Sequence, residues 1–93
     1  MYRDDPLDDE AELRDVVGDD AVERLIELGG PDALLAALDA LRLLQGWVDT
    51  ATCAEWLVTA QRRLGDRSPL DALVQGGHEE VQDVLRAYVA AQA

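Results

Sequence analysis

The chain has 93 residues, with 20 carboxylates against 8 basic side chains, every one of them Arg, and a formal net charge of −12. That length supports one domain with a single modest core and is too short for two. A surface this acidic repels a phosphate backbone, so nucleic-acid binding is not expected without a basic partner, and a basic protein is the favoured partner instead.

The first predicted element is a short helix, with Asp8-Asp9-Glu10 in its first turn, Leu13, Val16 and Val17 along its apolar face, and Gly18 as its end. Asp19 or Asp20 caps a second helix whose apolar face is Ala21 or Val22, Leu25 and Ile26, closing at Gly29-Gly30. Both are weak alone and need the rest of the chain to cover them. Region 1–32 holds twelve carboxylates against Arg3, Arg14 and Arg24, a balance of −9, whereas 33–93 balances at −3. Its outline suggests derivation from a helix-turn-helix. The outward residues Asp19, Asp20, Glu23 and Glu27 would nevertheless be repelled by DNA phosphates.

Pro31 opens the longest helix, which runs to about Gly46 or Val48. Leu34, Leu38, Leu41 and Leu44 or Gln45 lie on one face, and Leu35, Leu43, Trp47 and Val48 widen the apolar surface beyond a stripe. Such a helix is either central to the domain or also packed against a second subunit, and Trp47 is the better interface candidate. Thr52 and Glu55 have capping-box spacing, followed by a helix through Trp56 and Leu57 that breaks near Thr59 to Gln61. A final turn carries Arg62, Arg63 and Leu64, and Gly65 supplies a left-handed stop. Ser68, Pro69 and Asp71 occupy N-cap, N1 and N3 of a short helix to about Gln75. After Gly76-Gly77, the last helix runs from His78 or Glu79 to about Ala91, with Val81, Val84 or Leu85, Tyr88 and Ala91 or Gln92 on one side. The sequence thus predicts an all-α fold, a single small domain over 1–93 of five to six helices, partly bundle-like. With no Phe, and Tyr2, Trp47, Trp56 and Tyr88 as its aromatics, its core is built from Leu, Val and Ala.

Catalytic material is sparse. His78 is the one imidazole and lacks a second ligand at metal-binding spacing, so it reads as a first-turn surface residue. Cys53 stands alone, which excludes an internal disulfide and a thiolate zinc cluster and fits a reducing cytosol; it reads as a buried structural thiol. The glycine pairs lack the Lys-Ser or Lys-Thr of a P-loop, and the acidic run lacks the turn Gly and closing Glu of a calcium loop. No catalytic, cofactor-binding or metal-ligating residue is assigned, and the chain is not expected to be an enzyme. The start has no basic segment followed by an apolar run, and no window has the length of a membrane span, so a cytoplasmic, soluble protein is expected.

Trp56-Leu57, Leu64-Gly65, Ser68-Pro69-Leu70, Leu73, Gly76, Val81 and Leu85, in this order and spacing, resemble the toxin-binding domain of the Xre/MbcA/ParS family of bacterial antitoxins, over about residues 33–93. The chain departs from that pattern where the family has an Asn-Pro-rich turn, here Val58-Thr59-Ala60-Gln61, and where it has a second Gly, here Asp66. The resemblance implies a non-enzymatic antitoxin that inhibits a RES-domain toxin, an enzyme that degrades NAD or transfers ADP-ribose from it. It also implies that the C-terminal helix and tail, Tyr88 to Ala93, approach the toxin's basic, NAD-binding pocket. The partner-binding residues expected are Trp47, Arg63, Arg67, Tyr88, Gln92 and Ala93, with homodimerisation through the long helix. Arg67 has two roles open to it, an interface pair with a carboxylate or a tie across the turn to Asp66 or Asp71. Trp56 is expected to anchor the core.

Overall fold

Stop and start signals divide the chain into six α-helices over residues 6–92, the part that the computed structural model describes, with side chains from Glu10 onward. Helix α1 (Pro6–Val17) ends where Gly18 takes φ +97°, and α2 (Asp19–Arg24) starts at once with two carboxylates at its positive end. Residues Leu25–Gly29 then form one π-helical turn that runs directly into α3 (Gly30–Gln45). The expected closure at Gly29-Gly30 is therefore only a redirection, made by Gly30 at φ +76°. Its cause lies at Gly29, where an added Cβ would sit 2.5 Å from the Ala33 methyl and 3.2 Å from the Val74 backbone. The widened turn lets the two backbones approach as a side chain would not allow.

α3 is the central helix. Its buried face alternates small and large residues, Ala33, Ala37 and Ala40 with Leu38, Leu41 and Leu44, so α1, α4, α5 and α6 all pack against it. Leu34, expected on that face, is half-buried. Beyond Gln45 the chain tightens, with Trp47 and Val48 N–H both donating to the Leu44 carbonyl at 2.9 Å. Helix α4 (Thr50–Val58) follows. Its cap is Asp49 and not Thr52: the Asp49 carboxylate accepts from Thr52 N–H at 2.8 Å, and the helix starts three residues before the expected box. Starting there gives α4 the turn it needs to aim Cys53, Trp56 and Leu57 inward together. The Thr52 donors hold the Asp49 carboxyl below its ordinary range. This cap is complete above the usual carboxylate pKa and is lost as pH falls through the lowered one.

A single 3₁₀ turn (Arg62–Leu64), α5 (Pro69–Val74) and α6 (His78–Gln92) complete the fold. The core is shared by both halves of the chain: Leu13, Val22 and Leu25 meet Leu44, Leu57, Leu64 and Leu73, all at most 1% exposed. On α6 the inward residues are Val81, Val84, Leu85 and Val89; Tyr88 is half-buried and Ala91 and Gln92 are exposed, so the core face ends on Val89 and not on Ala91 or Gln92. Polar ties finish the packing of the first helices. Gln45 donates to Glu12 across α1 and α3, and Arg14 is held by Glu10, Asp19 and Glu23 at 3.0, 3.6 and 3.4 Å. Among the described residues there is no named strand, and no helix is long and apolar enough to cross a membrane.

The close approach at Gly29 is directly testable. Gly29→Ala should destabilise the fold by about 1–3 kcal/mol through overpacking, read as a lowered midpoint in urea with an unchanged slope.

Candidate functional site

The junction between α4 and α6 is built from local signals that reinforce one another. α4 stops at Thr59, whose hydroxyl donates back to the Glu55 carbonyl and whose backbone is extended. Gln61 and Arg67 then pair as an isolated antiparallel bridge, Gln61 N–H donating to the Arg67 carbonyl at 3.0 Å while Asp66 N–H donates to the Gln61 carbonyl at 3.0 Å. The loop between them is closed from inside by Leu64, 1% exposed. It turns on two consecutive left-handed residues, Gly65 at φ +69° and Asp66 at φ +64°. The backbone at position 66 is one that glycine adopts without strain. Asp, one of the few side chains that tolerate this region, fills the position here.

Arg67 locks that loop to the next two helices. Its Nε donates to the Leu64 carbonyl at 2.7 Å, one terminal nitrogen donates to Gln75 Oε1 at 2.8 Å, and the other reaches Glu80 Oε2 at 3.4 Å. The expected tie to Asp66 or Asp71 is not what forms. Asp71 instead faces Arg24 at 3.6 Å, and the fork of Arg67 spans to the end of α5 and the first turn of α6. The Ser68 cap is formed as expected, Oγ accepting from Asp71 N–H at 3.1 Å with Pro69 at the first helical position. α5 ends as Gly76 takes φ +84° and Gly77 N–H returns to the Ala72 carbonyl at 2.8 Å. This fixes the direction in which α6 leaves.

The result is an aromatic contact between α4 and α6. The Trp56 and Tyr88 rings lie 5.7 Å apart at 41°, within the range where such pairs attract. Trp56 is buried, as expected of a core anchor, and its ring floors a shallow hollow of about 240 Å³ walled by Gln61, Arg63, Val84, Ala87 and Tyr88. A smaller hollow of about 120 Å³ lies on the other edge of the same pair, beside Thr52, Glu55 and Thr59. Of the residues expected to bind a partner, the structure brings Arg63 and Tyr88 together here, with Arg63 exposed. Gln92, one turn beyond, is exposed and donates to the Tyr88 carbonyl at 3.3 Å. Arg67 is largely occupied within the chain, Trp47 lies at the far end of α3, 49% exposed, and Ala93 falls outside the described residues. Gln61, Val84 and Ala87 were not among the partner-binding residues expected from sequence, although Val84 was read as one of two candidates for the inward side of the last helix. Val84 lies four residues before Tyr88, a spacing that signals its place, whereas Gln61 enters only through its bridge to Arg67.

Among the described residues no group of three or more His, Cys, Asp or Glu could hold a metal ion. Burial, and after it the Asp49 carboxylate, push the Cys53 thiol above its ordinary range, so it stays protonated. His78 is half-buried at the start of α6 beside Asp39 and Arg86. Compared with protein-family models, curated proteins and solved structures, the chain matches none.

Two substitutions separate backbone from side-chain effects in the loop. Asp66→Val should cost about 1–2 kcal/mol because a β-branched residue resists positive φ, whereas Asp66→Gly should be nearly neutral; thermal melts of both variants distinguish these outcomes. Arg67→Ala should cost about 1 kcal/mol, mainly through the half-buried hydrogen bond to the Leu64 carbonyl, since the exposed Gln75 and Glu80 then pair with water, and Arg67→Lys should recover little of that because an ammonium cannot span three acceptors as the planar fork does.

Proposed function

We propose that this chain is a non-enzymatic, antitoxin-like protein that binds and inhibits an NAD-consuming RES-domain toxin, presenting the exposed flank of α6 and its last residues to the toxin's active site. The observation that carries this reading is where the pattern falls. The residues that resemble the antitoxin pattern, Trp56, Leu64, Gly65, Ser68, Pro69 and Leu70, lie on α4, the loop after it and the start of α5, the stretch that Arg67 ties to the first turn of α6, while Arg63, Ala87 and Gln92 are exposed and Tyr88 is half-buried. The last turns are not absorbed by the core: Arg86, Ala87, Ala90, Ala91 and Gln92 are exposed around the buried Val89.

Charge supports the same reading. A net charge of −12 attracts a basic nucleotide-binding surface and raises the rate of encounter with it. It opposes a DNA-binding role, and the N-terminal helices add to that opposition because Arg14 is taken up by three carboxylates and Arg24 faces Asp71.

Because Tyr88 packs on Trp56 and Val89 is buried, a truncation that spares the fold begins after Val89. Co-expression of the full chain with a growth-arresting RES-domain toxin should restore growth, and deletion of residues 90–93 should weaken rescue while the melting curve stays cooperative. Arg63→Glu should weaken toxin binding by about tenfold or more, the range of an interface arginine, as measured by calorimetry. Full rescue by the truncated chain would remove the tail from the mechanism, and no rescue by the intact chain would end the antitoxin reading.

A further inference from the structure

The opposite flank of α6 carries a second surface. Between α3 and α6 runs a groove of about 120 Å³, with Ala36, Ala40, Leu73, Val81 and Leu85 on its floor and walls. Asp39 on the α3 side and Arg86 on the α6 side both line it, and among the described residues neither forms an ion pair. Along its lip, Leu35, Asp39 and Leu43 stand at intervals of four residues on one ridge of α3, and Trp47 follows in the turn just beyond the helix's last residue, Gln45. The three apolar members are 54%, 40% and 49% exposed. Single exposed leucines need no explanation, but a continuous ridge beside an apolar groove is the element that helix pairs interdigitate, with ridges of this kind crossing at about −50°.

We propose that this face is the interface of a twofold homodimer, in which Leu43 of each chain enters the α3–α6 groove of the other and Asp39 of each chain pairs with Arg86 of the other. A second copy is the occupant that the charges select. In a twofold contact every pair occurs twice with the roles exchanged, so a surface bearing one carboxylate and one guanidinium that do not meet within the chain is complementary to itself. A uniformly basic partner would meet Asp39 at the cost of opposing Arg86. The distribution of charge permits the contact as well, since residues 1–32 carry −9 of the −12 and residues 33–93, which supply both walls, carry −3. Beside the α3 ridge, in the turn after Gln45, stands the half-exposed Trp47, a large aromatic of the type that concentrates binding energy at interface centres.

This surface uses the flank of α6 bearing Val81, Leu85 and Arg86, not the one bearing Ala87 and Tyr88, so the inference stands apart from toxin inhibition. The test measures the mass of the purified full chain by light scattering across a dilution series. The expected result is two chains per particle, falling to one on dilution. Leu43→Glu, at an exposed position that leaves the fold cooperative, should weaken association by about tenfold or more. Asp39→Arg and Arg86→Asp should each weaken it alone by placing like charges opposite one another, yet the two variants mixed together should associate as a heterodimer, because both cross-chain pairs are then opposite in sign. A role for these residues within one chain could not produce that rescue. A one-chain mass at every concentration, a mass of three or more chains, or failure of the mixed variants to associate would each overturn the proposal.

Discussion

The fork of Arg67 is the interaction on which the C-terminal half of the molecule depends. One planar group reaches three acceptors on three successive elements, the Leu64 carbonyl in the loop, Gln75 at the end of α5 and Glu80 in the first turn of α6. Remove it, and the loop still closes on Leu64 and the Gln61–Arg67 bridge, but nothing polar ties that loop to α6. The distance between the Trp56 and Tyr88 rings is set by where α6 starts, fourteen residues of helix before its end. A small error in direction at His78 therefore grows along α6 before it reaches Tyr88 and Gln92. That is why the Arg, the Ser68 cap and the left-handed pair Gly65-Asp66 belong to one device: each restricts the same exit angle.

Charge does two different jobs in the two regions. In the N-terminal helices the excess carboxylates are partly gathered around Arg14, so the strongest negative field of the chain is also internally braced. These contacts are exposed or half-buried and contribute little each to stability. Their more important effect is to remove Arg14 from any surface that could meet a phosphate. In the C-terminal region the charge is sparse and the arginines face particular places: Arg67 inward, Arg63 into the aromatic hollow, Arg86 into the groove beside α3. The two halves thus differ in kind: a diffuse negative field over the first, and individually placed arginines over the second.

Elements whose ends are set by near neighbours were legible in the sequence. Gly18, Gly65, Ser68-Pro69 and Gly76 each act within a turn of themselves, and the helices they bound lie where the spacing puts them. What escaped was set at long range or by competition. The π turn at Leu25–Gly29 exists because Gly29 meets Val74, 45 residues away in the chain, a contact with no local signal. Asp49 and Thr52 were both able to cap α4, and the tight turn through Trp47 and Val48 decided for Asp49 by delivering the chain in extended form one turn earlier. Arg67 was read against the carboxylates nearest in sequence, Asp66 and Asp71, yet its partners are 8 and 13 residues away because α5 is short enough to bring Gln75 and Glu80 back over the loop. Tyr88 was placed with the core, and its neighbour Val89 took that place, since the stripe Val81, Leu85, Val89 faces α3 and leaves Tyr88 turned toward Trp56.

That last displacement decides what α6 can do. Were Tyr88 in the core, the helix would have one buried face and one generic polar face. With Val89 inward, two chemically distinct flanks are left, an aromatic one against α4 and an apolar one against α3, each with an arginine at its edge. α3 contributes to the second flank because its buried face is rich in alanine. Ala37 and Ala40 let α6 and its neighbours approach closely, and the bulk that α3 would otherwise hold inward sits instead on the outer ridge as Leu35 and Leu43, with Trp47 in the turn just beyond. The same economy of core volume that lets a 93-residue chain without phenylalanine pack six helices thus leaves large side chains at its surface. Where those side chains fall on one ridge beside a groove, the packing of the single chain has already shaped a surface for something outside it.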